Sequence, residues 1–178
     1  MTVGYYQTKS SVEEYIRLAK DVNGRELIKK LKKYLPSDAD LLEIGSGPGT
    51  DWNILKANYK VVGSDNSPEF LRHLRRQNPE GNFLELDAIT IETDRKFDGI
   101  YSNKVMQHLK DHELTNSIKK QGEVLNHQGI ICHSFWRGEG SEYFKGLLVN
   151  YHSHDSLHDF FGSSFNILLI EEYAEFEK

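Results

Sequence analysis

Apolar positions along the 178-residue chain follow two rhythms, and the change between them divides it. Up to residue 36 the rhythm is helical. Ser10 and Ser11 are placed to cap a helix running from Val12 to about Lys20, with Glu13 and Glu14 in the first turn, where the helix dipole favours negative charge. A second helix is predicted from about Gly24 to Tyr34, because Leu27, Ile28, Leu31 and Leu35 recur at helical spacing before Pro36. From Asp40 onward, short apolar runs alternate with helical stretches. Strands are predicted over 40–44, 60–63, 82–86, 97–102, 129–135 and 165–171, and helices over 50–57, 69–77, 111–125 and 155–161. Pro68 opens the second of these helices, and Phe70, Leu71 and Leu74 share one of its faces. This alternation predicts an α/β fold: a mostly parallel central sheet with helices on both faces and an N-terminal helical extension. Such sheets bind ligands beyond the carboxyl ends of their strands, near the switch in strand order. The strand tips are therefore where chemistry is expected.

No repeat, low-complexity tract or Pro/Gly/Ser linker breaks the order. One domain is expected over 1–178, with 1–36 as N-terminal helices and lid and 37–178 as the core. After Glu171 the polar segment 172–178 brings no closing apolar strand, which leaves open a truncated chain or a fold lacking its final strand. The formal net charge of −5 argues against a broad basic surface for phosphates, so no nucleic-acid partner is expected. Cys132 stands alone, which excludes an internal disulfide framework, and its place after Ile130 and Ile131 reads as a buried structural thiol. No charged-then-apolar leader opens the sequence, and no apolar run approaches the roughly 20 residues that span a bilayer. A cytoplasmic protein without a membrane partner is the expectation. Nothing in the pattern specifies an oligomeric state.

The strongest chemical signal is Leu41-Leu-Glu-Ile-Gly-Ser-Gly-Pro-Gly-Thr-Asp51. An apolar strand runs into three glycines at alternate positions and then into a helix, whose first N–H groups face whatever occupies the turn. A dinucleotide fingerprint requires Gly-x-Gly-x-x-Gly around a pyrophosphate. Here the third glycine arrives one residue early, at Gly49, and Asp51 adds negative charge where a pyrophosphate needs the opposite. A ligand without phosphates suits the loop better. Asp65 ends the second strand at about the distance from Gly45 where an acid accepts ribose hydroxyls, although a capping role beside Ser67 and Pro68 is an equally local use of it.

Glu43-Ile-Gly45-Ser46-Gly47-Pro-Gly49 resembles motif I of the class I S-adenosylmethionine-dependent methyltransferases, which have a Rossmann-like fold. The resemblance is firm over roughly residues 38–135. It implies S-adenosylmethionine as cofactor and methyl transfer by in-line displacement as the reaction, with Glu43, Gly45, Ser46, Gly47 and Gly49 around the amino-acid tail. Asp65 then takes the ribose, and Asn66 flanks the adenine. Asp87, after the third strand, accepts from the adenine amino group while Ala88 offers its N–H. Ser102 and Asn103, after the fourth, lie near the methionine part through backbone carbonyls. The family's branches that methylate nucleic acids or protein glutamines carry Asn/Asp-Pro-Pro-aromatic after that strand. This chain has Ser102-Asn103-Lys104-Val105, so a small-molecule acceptor is expected.

Methyl transfer asks the protein mainly to align donor and acceptor and exclude water. His108 is the candidate catalytic base, since it follows the fourth strand and titrates near neutrality; packing at a helix start is the competing role. Tyr5 and Tyr6 stand where the resembled family folds a lid over its cofactor, and Phe135 and Trp136 where an acceptor pocket would be lined. His152, His154 and His158 with Asp155 and Asp159 fit no catalytic zinc spacing, so no metal is expected; a helix capped by Ser153 or Asp155 explains them. Two other functions use the same sheet: a nicotinamide-dependent oxidoreductase, and a non-catalytic S-adenosylmethionine-binding module serving a partner.

Overall fold

Five parallel strands form the central sheet of the computed structural model, which describes residues 5–20 and 22–174. They are β1 (Asp40–Ile44), β2 (Lys60–Asp65), β3 (Asn82–Glu85), β4 (Phe97–Asn103) and β5 (Leu125–Ser134), in the order β3-β2-β1-β4-β5. The order reverses between β1 and β4, so the switch point falls at the tip of β1, beside the glycine loop. Both faces of β1 are covered, and consecutive residues feed opposite layers. Leu41 packs with Leu31, Leu55, Val61 and Leu74 on one side, and Leu42 with Val62, Ile100, Leu114 and Ile118 on the other. The first layer is roofed by α2 (Arg25–Leu31), α3 (Thr50–Leu55) and α4 (Pro68–Gln77), and the second by α5 (Asp111–Val124).

Helix starts follow local chemistry. In α4, Pro68 occupies the first turn and the Ser67 hydroxyl accepts from Phe70 N at 3.3 Å. The first helix, α1 (Lys9–Leu18), begins earlier than Val12: Thr8 is the cap, its Oγ1 accepting from Ser11 N at 3.3 Å. Ser10 and Ser11 fall inside the first turn, where the Ser11 hydroxyl bonds back to the Thr8 carbonyl at 3.0 Å. The last helix, α6 (His154–Phe161), is capped by Ser153, which accepts from Ser156 N.

Two elements differ from expectation. The segment 165–171 forms no strand. Its Phe165 and Ile167 pack onto the sheet layer, while Lys30–Glu171 at 2.7 Å and Arg137–Glu172 at 2.9 Å hold its end beside β5 without a backbone ladder. In the polar segment that follows, residues 175–178 lie outside the described residues. An antiparallel hairpin, β6 (Ser141–Phe144) and β7 (Leu147–Asn150), stands where no strand was expected. Lys145 at φ 50° and Gly146 at φ 80° make its two-residue turn, the left-handed pair that matches the twist of a hairpin.

Candidate active site

At the tip of β1 the three alternating glycines all adopt left-handed backbone: Gly45 at φ 71°, Gly47 at 49° and Gly49 at 84°. A side chain on Gly45 would collide with Val105, and one on Gly49 with Leu74, whereas above Gly47 the nearest atom is the Tyr15 ring at 4.0 Å. The loop is thus packed tightly from below, while Gly47, itself buried, has only the Tyr15 ring at van der Waals distance above it. Beneath it Glu43 is buried and accepts from the Ser46 hydroxyl at 2.6 Å. Burial pushes the Glu43 carboxyl up to about 8, and the nearby charges of Asp51 and Asp65 push the same way.

Asp65, the last residue of β2, is brought directly to this loop. Its Oδ2 accepts from Gly47 N at 3.0 Å and its Oδ1 from Ser67 N at 2.9 Å. These bonds take one lone pair on each carboxylate oxygen and leave the other available as an acceptor. Burial raises the Asp65 pKa above the ordinary carboxylate value, against the lowering by these N–H donors. Asn66 is exposed, and its carbonyl accepts from Gln7 Nε2 at 3.3 Å. Asp87, two residues past β3, is also exposed, with Oδ1 taking Ile89 N at 2.7 Å.

The sequence reading missed the most connected group. Asp51 registers there only as unwelcome charge, yet its buried carboxylate joins three parts of the fold. It accepts from Gly24 N at 2.7 Å, the Tyr101 hydroxyl at 2.7 Å and Asn103 Nδ2 at 3.0 Å. Asn103 in turn accepts from the Ser134 hydroxyl at 2.7 Å, and Ser134 accepts from Lys104 N at 2.9 Å. Lys104 adopts φ 58°, an uncommon conformation for a side-chain-bearing residue, immediately after β4. Gly24 is needed for closeness, not for its φ: a Cβ there would lie 2.1 Å from the Tyr101 hydroxyl. A glycine before a helix, an acid in the next helix and a strand tyrosine are each ordinary. Only the fold makes them neighbours.

Ser102 has no exposed surface and its hydroxyl faces His133, so its side chain points away from the cleft. His108 lies in a 3₁₀ turn (Met106–His108) after β4, half-buried, with Nδ1 2.6 Å from the Leu148 carbonyl. A carbonyl only accepts, so Nδ1 carries the proton and Nε2 is the basic nitrogen; burial lowers the pKa and keeps the ring neutral. Tyr6 joins Tyr15 and Phe70 in a cluster of rings 5.2 to 5.8 Å apart over the loop, and Ser67 donates to the Tyr6 carbonyl. The Tyr5 side chain lies outside the described residues. Phe135 and Trp136 line a cavity of about 550 Å³ that follows the outer edge of β5, away from the glycine loop. Cys132 lines it too, its thiol pushed up to about 12 by burial. Among the described residues, no group of His, Cys, Asp and Glu has an arrangement that could hold a metal ion. No helix among them is long and apolar enough to cross a membrane.

A family model described as a methyltransferase domain matches residues 41–129, half of the chain and the whole span from β1 to the start of β5. The chain belongs to this methyltransferase family. Its fold is that of the class I methyltransferases. The structure of an S-adenosylmethionine-bound amino pentose methyltransferase from Micromonospora echinaspora superposes with a TM-score of 0.70 over 86% of this chain and 87% of that one, at 14% identity. Among curated relatives, a malonyl-[acyl-carrier protein] O-methyltransferase from Calditerrivibrio nitroreducens is 32% identical over 136 residues, covering 72% of this chain and 52% of its own length. A trans-aconitate 2-methyltransferase from an Enterobacter strain is 35% identical over 77 residues, covering 42% of this chain and 31% of its own. This methyltransferase chain thus spans about a third to a half of the curated relatives it matches.

Proposed function

We propose that this chain binds S-adenosylmethionine across the tips of β1 to β4 and directs its methyl group to a small-molecule acceptor. One observation carries the reading: Asp51 and Asp65, two buried carboxylates, lie beside a loop of three left-handed glycines, with the buried Glu43 carboxyl beneath it, at the switch point of a methyltransferase-family sheet. The donors named above for these carboxylates are neutral. S-adenosylmethionine carries a sulfonium and an ammonium against one carboxylate, so this floor attracts it. A nicotinamide dinucleotide brings an anionic pyrophosphate, which the same floor repels. The charge argument thus favours the methyltransferase reading over the oxidoreductase one.

Bound there, the cofactor supplies a methyl group already activated on sulfur. The protein's share is placement. Asp65 offers its remaining lone pairs to the ribose hydroxyls, Asp87 and Ala88 meet the adenine edge, and the backbone of Ser102 and Asn103 borders the methionine end. Tyr6, Tyr15 and Phe70 shield the loop from water. His108, with its basic nitrogen fixed as Nε2, takes a proton when the acceptor is a hydroxyl or an amine; a carboxylate acceptor needs no base. The two relatives described above are named for trans-aconitate and for malonyl-[acyl-carrier protein], both carboxylic acids, which makes carboxylic acids the first acceptors to test.

The test is calorimetry with S-adenosylhomocysteine and with NAD, followed by transfer of labelled methyl to a panel of small di- and tricarboxylic acids and malonyl thioesters. Binding of the first ligand alone, with label on an acid, is expected. Failure to bind S-adenosylhomocysteine refutes the proposal. Binding without transfer to any acceptor turns the assignment to the non-catalytic module.

A further inference from the structure

Behind the cleft, on the α5 side of the sheet, four hydrogen bonds run in series. The Ser117 hydroxyl donates to the Ala88 carbonyl at 2.6 Å, and Gln121 Nε2 donates to Ser117 Oγ at 3.2 Å. Gln121 Oε1 lies 2.7 Å from His133 Nε2, and His133 Nδ1 lies 2.8 Å from Ser102 Oγ. One end dictates the direction of all four. A carbonyl accepts only, so the single hydroxyl proton of Ser117 goes to Ala88. The Ser117 oxygen is left to accept, so Gln121 must turn its NH₂ toward Ser117 and its C=O toward His133. His133 therefore carries its proton on Nε2, and its Nδ1 receives the Ser102 hydroxyl. Ser102, Ser117 and Gln121 have no appreciable exposure; His133 is half-buried at the wall of the cavity along β5, and its desolvation lowers the imidazole pKa, which favours the neutral ring in this one tautomer.

We propose that this relay, with His133 and Gln121 as positioning residues, holds the tips of β3 and β4 in register and thereby sets the span of the cofactor cleft. It rests on the function proposed above, which assigns Ala88 and Ser102 to opposite ends of the cofactor. Within the sheet these tips are joined only indirectly, because β2 and β1 stand between β3 and β4. The relay bypasses both strands through α5, and Asn116 Nδ2 adds a second tie to the same loop at the Ile89 carbonyl, 2.9 Å away. Apolar side chains would bury α5 equally well, but they would leave its height over the loop free to slip. A directed chain of buried polar groups tolerates one arrangement only.

The experiment is calorimetry of S-adenosylhomocysteine binding to the wild type, His133→Leu and His133→Gln, with ¹⁵N NMR of the imidazole. Leucine keeps the bulk and removes both bonds; glutamine keeps one donor and one acceptor. His133→Leu is expected to weaken binding about tenfold, in line with loss of buried hydrogen bonds, and His133→Gln to return within about threefold of wild type. Binding stoichiometry separates this from a folding defect, because partly unfolded protein lowers the number of sites without changing Kd. Should His133→Leu not fold, Ser117→Ala breaks the relay at its other end and is expected to weaken binding in the same direction. The nitrogen spectrum is expected to show a bare Nδ1, unchanged between about pH 5 and 8. An Nδ1-protonated ring, or wild-type affinity in the broken variants, overturns the relay while leaving the cofactor assignment standing. Wild-type protein that does not bind S-adenosylhomocysteine overturns both.

Discussion

Removing the Asp51 carboxylate is the sharpest test of how the N-terminal helices are fastened to the site. In Asp51→Ala, Gly24 N–H, the Tyr101 hydroxyl and the Asn103 amide all lose their acceptor. Water can reach Asn103, which is partly exposed, but Gly24 is buried and Tyr101 has no exposed surface. Two buried donors left unsatisfied cost about 1–3 kcal/mol each, offset in part by no longer burying a charge, so a net loss of about 2–4 kcal/mol is expected. Asp51→Asn keeps one acceptor and is expected to lose about half as much. Urea denaturation followed by tryptophan fluorescence measures both, with the slope m reporting whether the transition stays two-state. A second substitution sharpens the logic: in the Asp51→Ala background, Tyr101→Phe removes an orphaned donor and is expected to recover about 1 kcal/mol. An Asp51→Ala loss below about 0.5 kcal/mol, the size of an inconsequential surface change, refutes the network as a fastening.

Three further outcomes are expected. Asp65→Ala weakens S-adenosylhomocysteine binding by about 1.5–3 kcal/mol in calorimetry, the range for hydrogen bonds to a charged group. Gly24→Ala drives a methyl group into the Tyr101 hydroxyl 2.1 Å away and destabilises the fold by about 1–3 kcal/mol in the same urea assay. Glu43 gives a pH signature. With its carboxyl raised from 4.5 to about 8, the folded chain holds a proton that the unfolded chain releases in that interval. Its contribution to stability is therefore complete below the lower value and declines as pH rises through about 8. Glu43→Gln is expected to remove that decline, so its Tm advantage over wild type grows from about pH 5 to about pH 8.5. An advantage that does not change with pH contradicts the raised carboxyl.

The sheet was readable because buried parallel strands write themselves as apolar runs: Leu41 to Ile44 and Val61 to Ser64 are covered on both faces. The loop was readable because three alternating glycines have few other uses, and all three adopt the left-handed backbone that favours glycine. What failed was pairing. Residues 165–171 have the composition of a strand, but composition only makes a segment willing; it settles by side-chain packing and the Lys30–Glu171 ion pair instead of a strand ladder. The β6–β7 hairpin left a signal in Lys145-Gly146 between apolar residues, but each strand is only four residues long and lacks the polar-apolar alternation that marks a hairpin. Asp51 and His133 bond to residues 27 to 52 and 12 to 31 positions away, distances over which a sequence carries no local trace.

The ring cluster of Tyr6, Tyr15 and Phe70 has a kinetic consequence. Anything reaching Gly47 must first part these side chains and loosen the tether from Ser67 to Tyr6. For the cofactor site proposed above, capture is then timed by the opening of the turn Tyr5–Gln7, so the association rate is expected to level off at high ligand concentration while release waits on the same movement.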